Sequence, residues 1–272
     1  MLGAGWTQVA ALAAAFGVAV AATPAGVSGA VLLLPFQVSV LGTPSPAVTP
    51  TNLLYNVVAT PGALYRYWRQ GQVSRRLALV LIAGTTPGVV AGSIIRVELL
   101  PRPRGFALVV AAVLIPLGVW LGLSRPPAGR QPGPPGRTEL DFYLGIRKAA
   151  WLVALAAAVG CAGGIYGIGG GSILAPVLIG TGRPPAVVAP AALASTFVTS
   201  VAGTATFAVL AVHHAGPVAP DWPTGIALGL GGLAGGYTGA RIQARLPDRL
   251  LRRLIALVVL AIGVRYLVIG LA

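Results

Sequence analysis

Few of the 272 residues carry side chains able to do chemistry. The acids are Glu98, Glu139, Asp141, Asp221 and Asp248, all in stretches read as loops. No carboxylate is therefore predicted at membrane depth to relay a proton or act as a general base. Cys161 stands alone, which excludes an internal disulfide and a multi-cysteine metal site and leaves a small buried filler. His213 and His214 are adjacent, about 100° apart on a helix, so they cannot form the i,i+4 pair that a metal favours. What remains is backbone. Gly163, Gly164, Gly167, Gly169, Gly170 and Gly171 crowd one apolar stretch that ends in Ser172 and Pro176. Each glycine is about 1 kcal/mol worse than alanine inside a helix, so six cost on the order of 6 kcal/mol, and the helix is predicted to break. A new helix starting at Ser172 would turn unpaired N–H groups and its positive dipole end toward the break. Such an end favours an anion without a charged side chain.

A fainter copy of this stretch lies about 141 residues earlier, with Gly26, Ser28, Gly29 and Pro35 where Gly167, Gly169, Gly170 and Pro176 stand. After a slip of one residue the run from Gly42 to Pro50 parallels Gly182 to Pro190, and Leu53 falls on Leu193. Gly84, Gly88 and Gly92 match Gly231, Gly235 and Gly239, while Cys161 matches Val20. The chain reads as a duplication of a unit of roughly 125 residues, a common origin of transporters.

The elements that position these breaks must sit in lipid. Hydrophobic residues make up 56% of the chain and charged residues 9%, too few charges for a water-soluble domain of this size. The expected fold is an all-α polytopic membrane protein of two inverted repeats, residues 1–123 and 149–272, joined by a Pro/Gly/Arg-rich linker at 124–148. Each repeat is expected to hold a broken or re-entrant segment plus three spans. Trp6 to Ala22 and Val27 to Leu41 form the first broken segment; Trp151 to Ile179 form the second. Spans are predicted at Ala47 to Leu64, Leu77 to Ile95, Gly105 to Leu123, Val187 to Val212, Thr224 to Ala240 and Leu254 to Ala272. Basic loops are predicted at 65–76 and 241–253, and a short polar turn at 96–104. The glycine stripes, spaced by four, are read as close helix contacts.

The net charge of +14 comes from arginines set between apolar segments, where cytoplasmic loops carry them, and this excludes a nucleic-acid partner. If both broken segments crossed fully, the cations would divide evenly between the faces. If each dips in and returns, loops at 65–76, 124–148, 183 and 241–253 share one face with fifteen cations against three on the other. Positive-inside counting selects the second arrangement, with both termini outside the cytoplasm. An odd number of crossings per unit then inverts one unit against the other and brings the two breaks together near the midplane. No charge precedes Arg66, so the basic region of a secretory signal is not expected.

The predicted substrate-binding groups are Gly26, Ser28, Gly29, Thr51, Asn52, Asn56, Gly167, Gly169, Gly170, Gly171, Ser172, Thr199 and Ser200, which offer close backbone approach together with hydroxyl and amide donors. The glycine run ending at Pro176, its twin ending at Pro35, Thr51-Asn52-Leu53 and the paired stripes resemble the TauE/SafE family of sulfite and sulfonate exporters over nearly the whole chain. The resemblance implies a transporter of sulfite, sulfonate, sulfoacetate or a related anion in the cell inner membrane. Two departures stand out: the first motif reads Gly26-Val27-Ser28-Gly29-Ala30, and Ala191-Ala192 replace the Thr-Ser pair the family favours. They imply an asymmetric site in which Thr51 and Asn52 contribute more than their counterparts. The expected partners are a small anion and the lipid bilayer, with no cofactor and no metal; a homodimer is compatible with the sequence. A membrane-embedded enzyme and a non-transporting scaffold are the alternatives. For the first, the spans offer only Cys161, hydroxyls, His213 and His214, and the second leaves the duplicated breaks unexplained.

Overall fold

The computed structural model describes residues 4–100, 103–123, 146–180, 183–214, 216–245 and 247–271. Among them are ten α-helices and no strand. These are α1 (Ala4–Ala22), α2 (Ala30–Ser39), α3 (Val48–Arg69), α4 (Arg75–Glu98), α5 (Pro103–Leu123), α6 (Ile146–Tyr166), α7 (Gly170–Gly180), α8 (Pro185–His213), α9 (Trp222–Ile242) and α10 (Asp248–Leu271). α4 and α8 are each long and apolar enough to cross a membrane. Large apolar side chains such as Val9, Phe16, Leu79, Val209 and Leu257 face outward, as a lipid-facing belt requires. The expected linker lies outside the described residues as far as Gly145, and Arg147 and Lys148 belong to α6.

Several expected loops are helical, each for a local reason. α3 runs past Leu64 because Arg66 and Arg69 fall in its last turn, where cations suit the helix dipole. Ser74 then caps α4 by accepting from Leu77 N–H at 3.4 Å, so Arg75 and Arg76 open that helix instead of closing a loop. Pro185 is pre-organised for the first position of α8. Asp221 caps α9 through the amide of Thr224 at 3.2 Å, and α10 begins at Asp248, well before Leu254. The expected polar turn at 96–104 is also partly helical: Arg96 lies inside α4, fully buried, and Glu98 ends that helix.

Contacts between the two halves of the chain fix the helix directions. Gly231, Gly235 and Gly239 of α9 lie in order against Leu12, Phe16 and Val20 of α1, so these helices run parallel. Gly84, Gly88 and Gly92 of α4 lie in the same way against Val153, Ala157 and Cys161 of α6. Leu54 and Val58 meet Gly225 and Gly229, which makes α3 parallel to α9 as well. Thr85 meets Ser195 and Val89 meets Gly203, aligning α8 with α4. α3 and α8 oppose each other: Ala63 and Tyr67 cluster with Ala189 and Leu193, while Leu53 clusters with Phe207. The end of α3, the starts of α4, α6 and α8 and the end of α9 therefore share one end of the bundle. That end carries Arg66, Arg69, Arg75, Arg76, Arg183 and Arg241.

Both glycine stripes make backbone contact. A Cβ at Gly88 would strike the carbonyl of Ala157, and one at Gly235 the carbonyl of Phe16. Leucine at either position is expected to cost about 2–3 kcal/mol, since the neighbour that must yield is a helix backbone. Thermal unfolding in detergent checks this. Gly17→Leu, where a Cβ meets nothing within 4 Å, should melt like the wild type.

Candidate functional site

Both predicted interruptions are present, between α1 and α2 and between α6 and α7. α1 tightens into a 3-10 turn at Thr23–Ala25 and stops at Gly26, whose φ of 72° is left-handed and whose N–H bonds Thr23 carbonyl at 2.8 Å. α6 stops at Gly167, φ 83°, with the amides of Gly167 and Ile168 on Gly163 carbonyl at 2.8 and 3.0 Å. Glycine ends a helix this way because a Cβ is penalised in that conformation. Each stopping glycine also packs on the third helix of the other half: Gly26 on Ala189 and Gly167 on the Thr49 carbonyl.

The restarts are capped by hydroxyls. Ala30 N–H donates to Ser28 Oγ at 3.1 Å, and Gly170 N–H donates to Thr199 Oγ1 at 3.1 Å. α7 therefore begins at Gly170, two residues before the expected Ser172, because Thr199 supplies the cap from a different helix. The first amides of both short helices are satisfied by the protein's own oxygens, not left bare.

The two breaks touch. Ser28 N–H donates to Ser172 Oγ at 3.2 Å, and Ser172 Oγ pairs with Thr196 Oγ1 at 3.1 Å. On the other side Ser28 Oγ donates to Asn56 Oδ1, so a hydrogen-bonded chain runs from α3 through both breaks to α8. Asn56 lies near the middle of α3 and Thr196 near the middle of α8, which puts the junction at mid-height. Asn52 donates to Ala30 carbonyl at 2.9 Å and accepts from Gln37 Nε2 at 2.9 Å, fixing the start of α2. Every one of these side chains is buried. Asn56 Nδ2 and Ser200 Oγ find no hydrogen-bond partner within the protein. Buried polar atoms are nearly always paired, so these two stand out beside the junction, and Gln37 Oε1, Gln70 Oε1 and Thr204 Oγ1 are likewise without a partner among the described residues.

Of the residues singled out from sequence, Gly26, Ser28, Gly29, Asn52 and Asn56 gather on one side of the junction. Gly167, Gly169, Gly170, Gly171, Ser172, Thr199 and Ser200 gather on the other. Gly29 lies against the hydroxyl of Tyr55, and Gly169 against the hydroxyl of Ser200. Thr51 is not part of the cluster. Its hydroxyl bonds Ala47 carbonyl at 2.7 Å and accepts from Asp221 N–H at 2.8 Å, tying α3 to the loop before α9. Thr196, Gln37 and Tyr166, whose hydroxyl reaches Val31 carbonyl at 2.9 Å, are the groups sequence reading missed. Thr196 was open to discovery, because the one-residue slip in the repeat pairs it with Asn56.

No group of three or more His, Cys, Asp or Glu suited to a metal occurs among the described residues. His214 instead pairs with Glu98 at 2.9 Å where α4 and α8 end together. The family model for the sulfite exporter TauE/SafE matches residues 11–266. No curated protein and no solved structure matches the chain. With a match spanning nearly every helix that builds the junction, the chain belongs to the sulfite exporter TauE/SafE family, a family of membrane transporters and not of enzymes.

Proposed function

We propose that the protein moves a small sulfur oxyanion, such as sulfite, a sulfonate or sulfoacetate, across the cell inner membrane through the junction of the two breaks. The observation that carries this reading is the bond from Ser28 N–H to Ser172 Oγ, which joins the two interruptions at mid-height. An oxyanion oxygen can accept the same hydrogen bonds as the hydroxyl oxygens that now accept from Ser28 and Gly170 N–H. Exchanging one for the other costs no backbone hydrogen bond and adds the favourable dipole ends of α2 and α7. Asn56 Nδ2 and Ser200 Oγ supply further donors.

The same reading makes residues 1–123 and 149–272 inverted repeats. In its support, α1 and α6 belong to the two opposed helix sets, as do α3 and α8, and α2 leads toward the Arg96 end while α7 leads toward Arg183. The arginine-rich end would face the cytoplasm. Concentration-dependent flux of radiolabelled sulfite, a sulfonate and acetate into proteoliposomes tests the proposal. Saturable flux of a sulfur anion is expected. Acetate flux unaffected by excess sulfite and sulfonate, or no flux of any of the three, would overturn it.

A further inference from the structure

Four residues after the last glycine of each stripe stands a buried polar side chain: Arg96 after Gly92, Gln243 after Gly239. Two residues before each stopping glycine stands a carbonyl: Pro24 before Gly26, Ile165 before Gly167. The structure connects these four positions in a matched way. Gln243 Nε2 donates directly to Pro24 carbonyl. Arg96 Nε donates to Thr49 Oγ1 at 3.2 Å, and Thr49 Oγ1 donates to Ile165 carbonyl at 3.4 Å. Arg96 is held in turn by Ser45 Oγ at 2.5 Å and by the carbonyl of Leu100. Thr49 also carries the carbonyl on which Gly167 rests, so its placement sets the position of the whole second break.

We infer that Gln243 and Arg96 are positioning residues for the two breaks, one acting directly and one through Thr49, from opposite ends of the bundle. Gln243 lies beyond α9 at the arginine-rich end, whereas Arg96 lies at the end where α4 and α8 terminate in Glu98 and His214. Each ties the outer side of one break to the fourth helix of the other half. Releasing one tie at a time would loosen the junction toward one face while the other face stays closed. Gln243 reaches its break directly, whereas Arg96 reaches the other through the Thr49 hydroxyl. This inference rests on the breaks being the substrate site.

The full-length protein in detergent tests it by hydrogen exchange in peptides covering residues 24–30 and 165–171, alongside sulfite flux in proteoliposomes. Gln243→Met keeps length and loses the donor; exchange in the first peptide should quicken about tenfold with the second unchanged. Thr49→Val should do the reverse, Thr49→Ser should restore the wild-type pattern, and Arg96→Met should add nothing to exchange at 165–171 once Thr49→Val is present, because Arg96 reaches Ile165 through that hydroxyl. Sulfite KM should rise in Gln243→Met and Thr49→Val, with the maximal rate changed less. Equal acceleration in both peptides, acceleration in neither, or a fall in maximal rate alone would overturn the inference. If Arg96→Met fails to fold, Thr49→Val and Thr49→Ser test the same tie. Wild-type protein without sulfite flux but with the break-by-break exchange pattern would refute the transport reading and leave the ties standing.

Discussion

Gly171→Leu is expected to reduce sulfite flux about a hundredfold, which corresponds to roughly 3 kcal/mol, the upper range for overpacking a buried position. A Cβ at Gly171 would strike the carbonyl of Ala192 and come within 2.7 Å of Thr196 Oγ1. The first obstacle is backbone in the interior of α8, which cannot rotate away as a side chain can. Relief must come from α7 moving off α8. That movement carries Ser172, the next residue, away from Thr196 and from Ser28 N–H. Stability and transport should therefore fall together, and flux per folded molecule, counted by size-exclusion recovery, separates them. Gly17→Leu, whose Cβ meets nothing, is the matched control and should transport normally. Normal flux per folded molecule in Gly171→Leu would remove the junction from the transport path.

Ser172→Ala is the second large effect. Its hydroxyl accepts from Ser28 N–H at 3.2 Å and pairs with Thr196 Oγ1 at 3.1 Å, all within the buried interior. Deleting it strands a backbone donor and a hydroxyl at once. An unsatisfied buried donor costs the empty protein about 1–3 kcal/mol, and an anion that takes the place of the hydroxyl recovers it, so a roughly ten- to hundredfold fall in sulfite KM is expected. Ser172→Thr keeps the hydroxyl and should lie close to wild type. Flux measured over a range of sulfite concentrations decides the matter. A KM unchanged in Ser172→Ala would mean that the substrate does not compete for the Ser28 amide.

Glycine makes the interruptions legible in the sequence, because a run of residues unfavourable in helices has few structural uses inside lipid. Gly26 and Gly167 adopt the left-handed conformation that stops each helix, at positions matched by sequence alone. The stripes are legible for a related reason: spacing by four puts bare backbone on one face, and that face meets another helix. Capping is much harder to read. α7 starts at Gly170 because Thr199, twenty-nine residues on, reaches its amide. Arg96 looks like a loop cation beside Glu98, yet its partners Ser45 and Thr49 lie about fifty residues earlier in the chain. Gln243 has no local signal, and its carbonyl partner is 219 residues distant. Thr51 is a further case, since its hydroxyl accepts from Asp221 N–H, 170 residues on in the chain. Propensity and periodicity report what a residue does to its own turn of helix, whereas these groups act on a turn supplied by a distant part of the chain.

The interlocking of the halves has a further consequence. α1 packs on α9, α4 on α6 and α8, α3 on α8 and α9, and α5 on α10, so the broad interfaces join early helices to late ones. Residues 4–123 alone would have almost nothing to fold around. On the proposed inverted-repeat reading, an ancestor of half this length would acquire an interior only as a pair of identical chains, and a later fusion of the two genes would free each copy to diverge. The glycine run near Gly169 and its degenerate twin near Ser28 are what such divergence would leave behind.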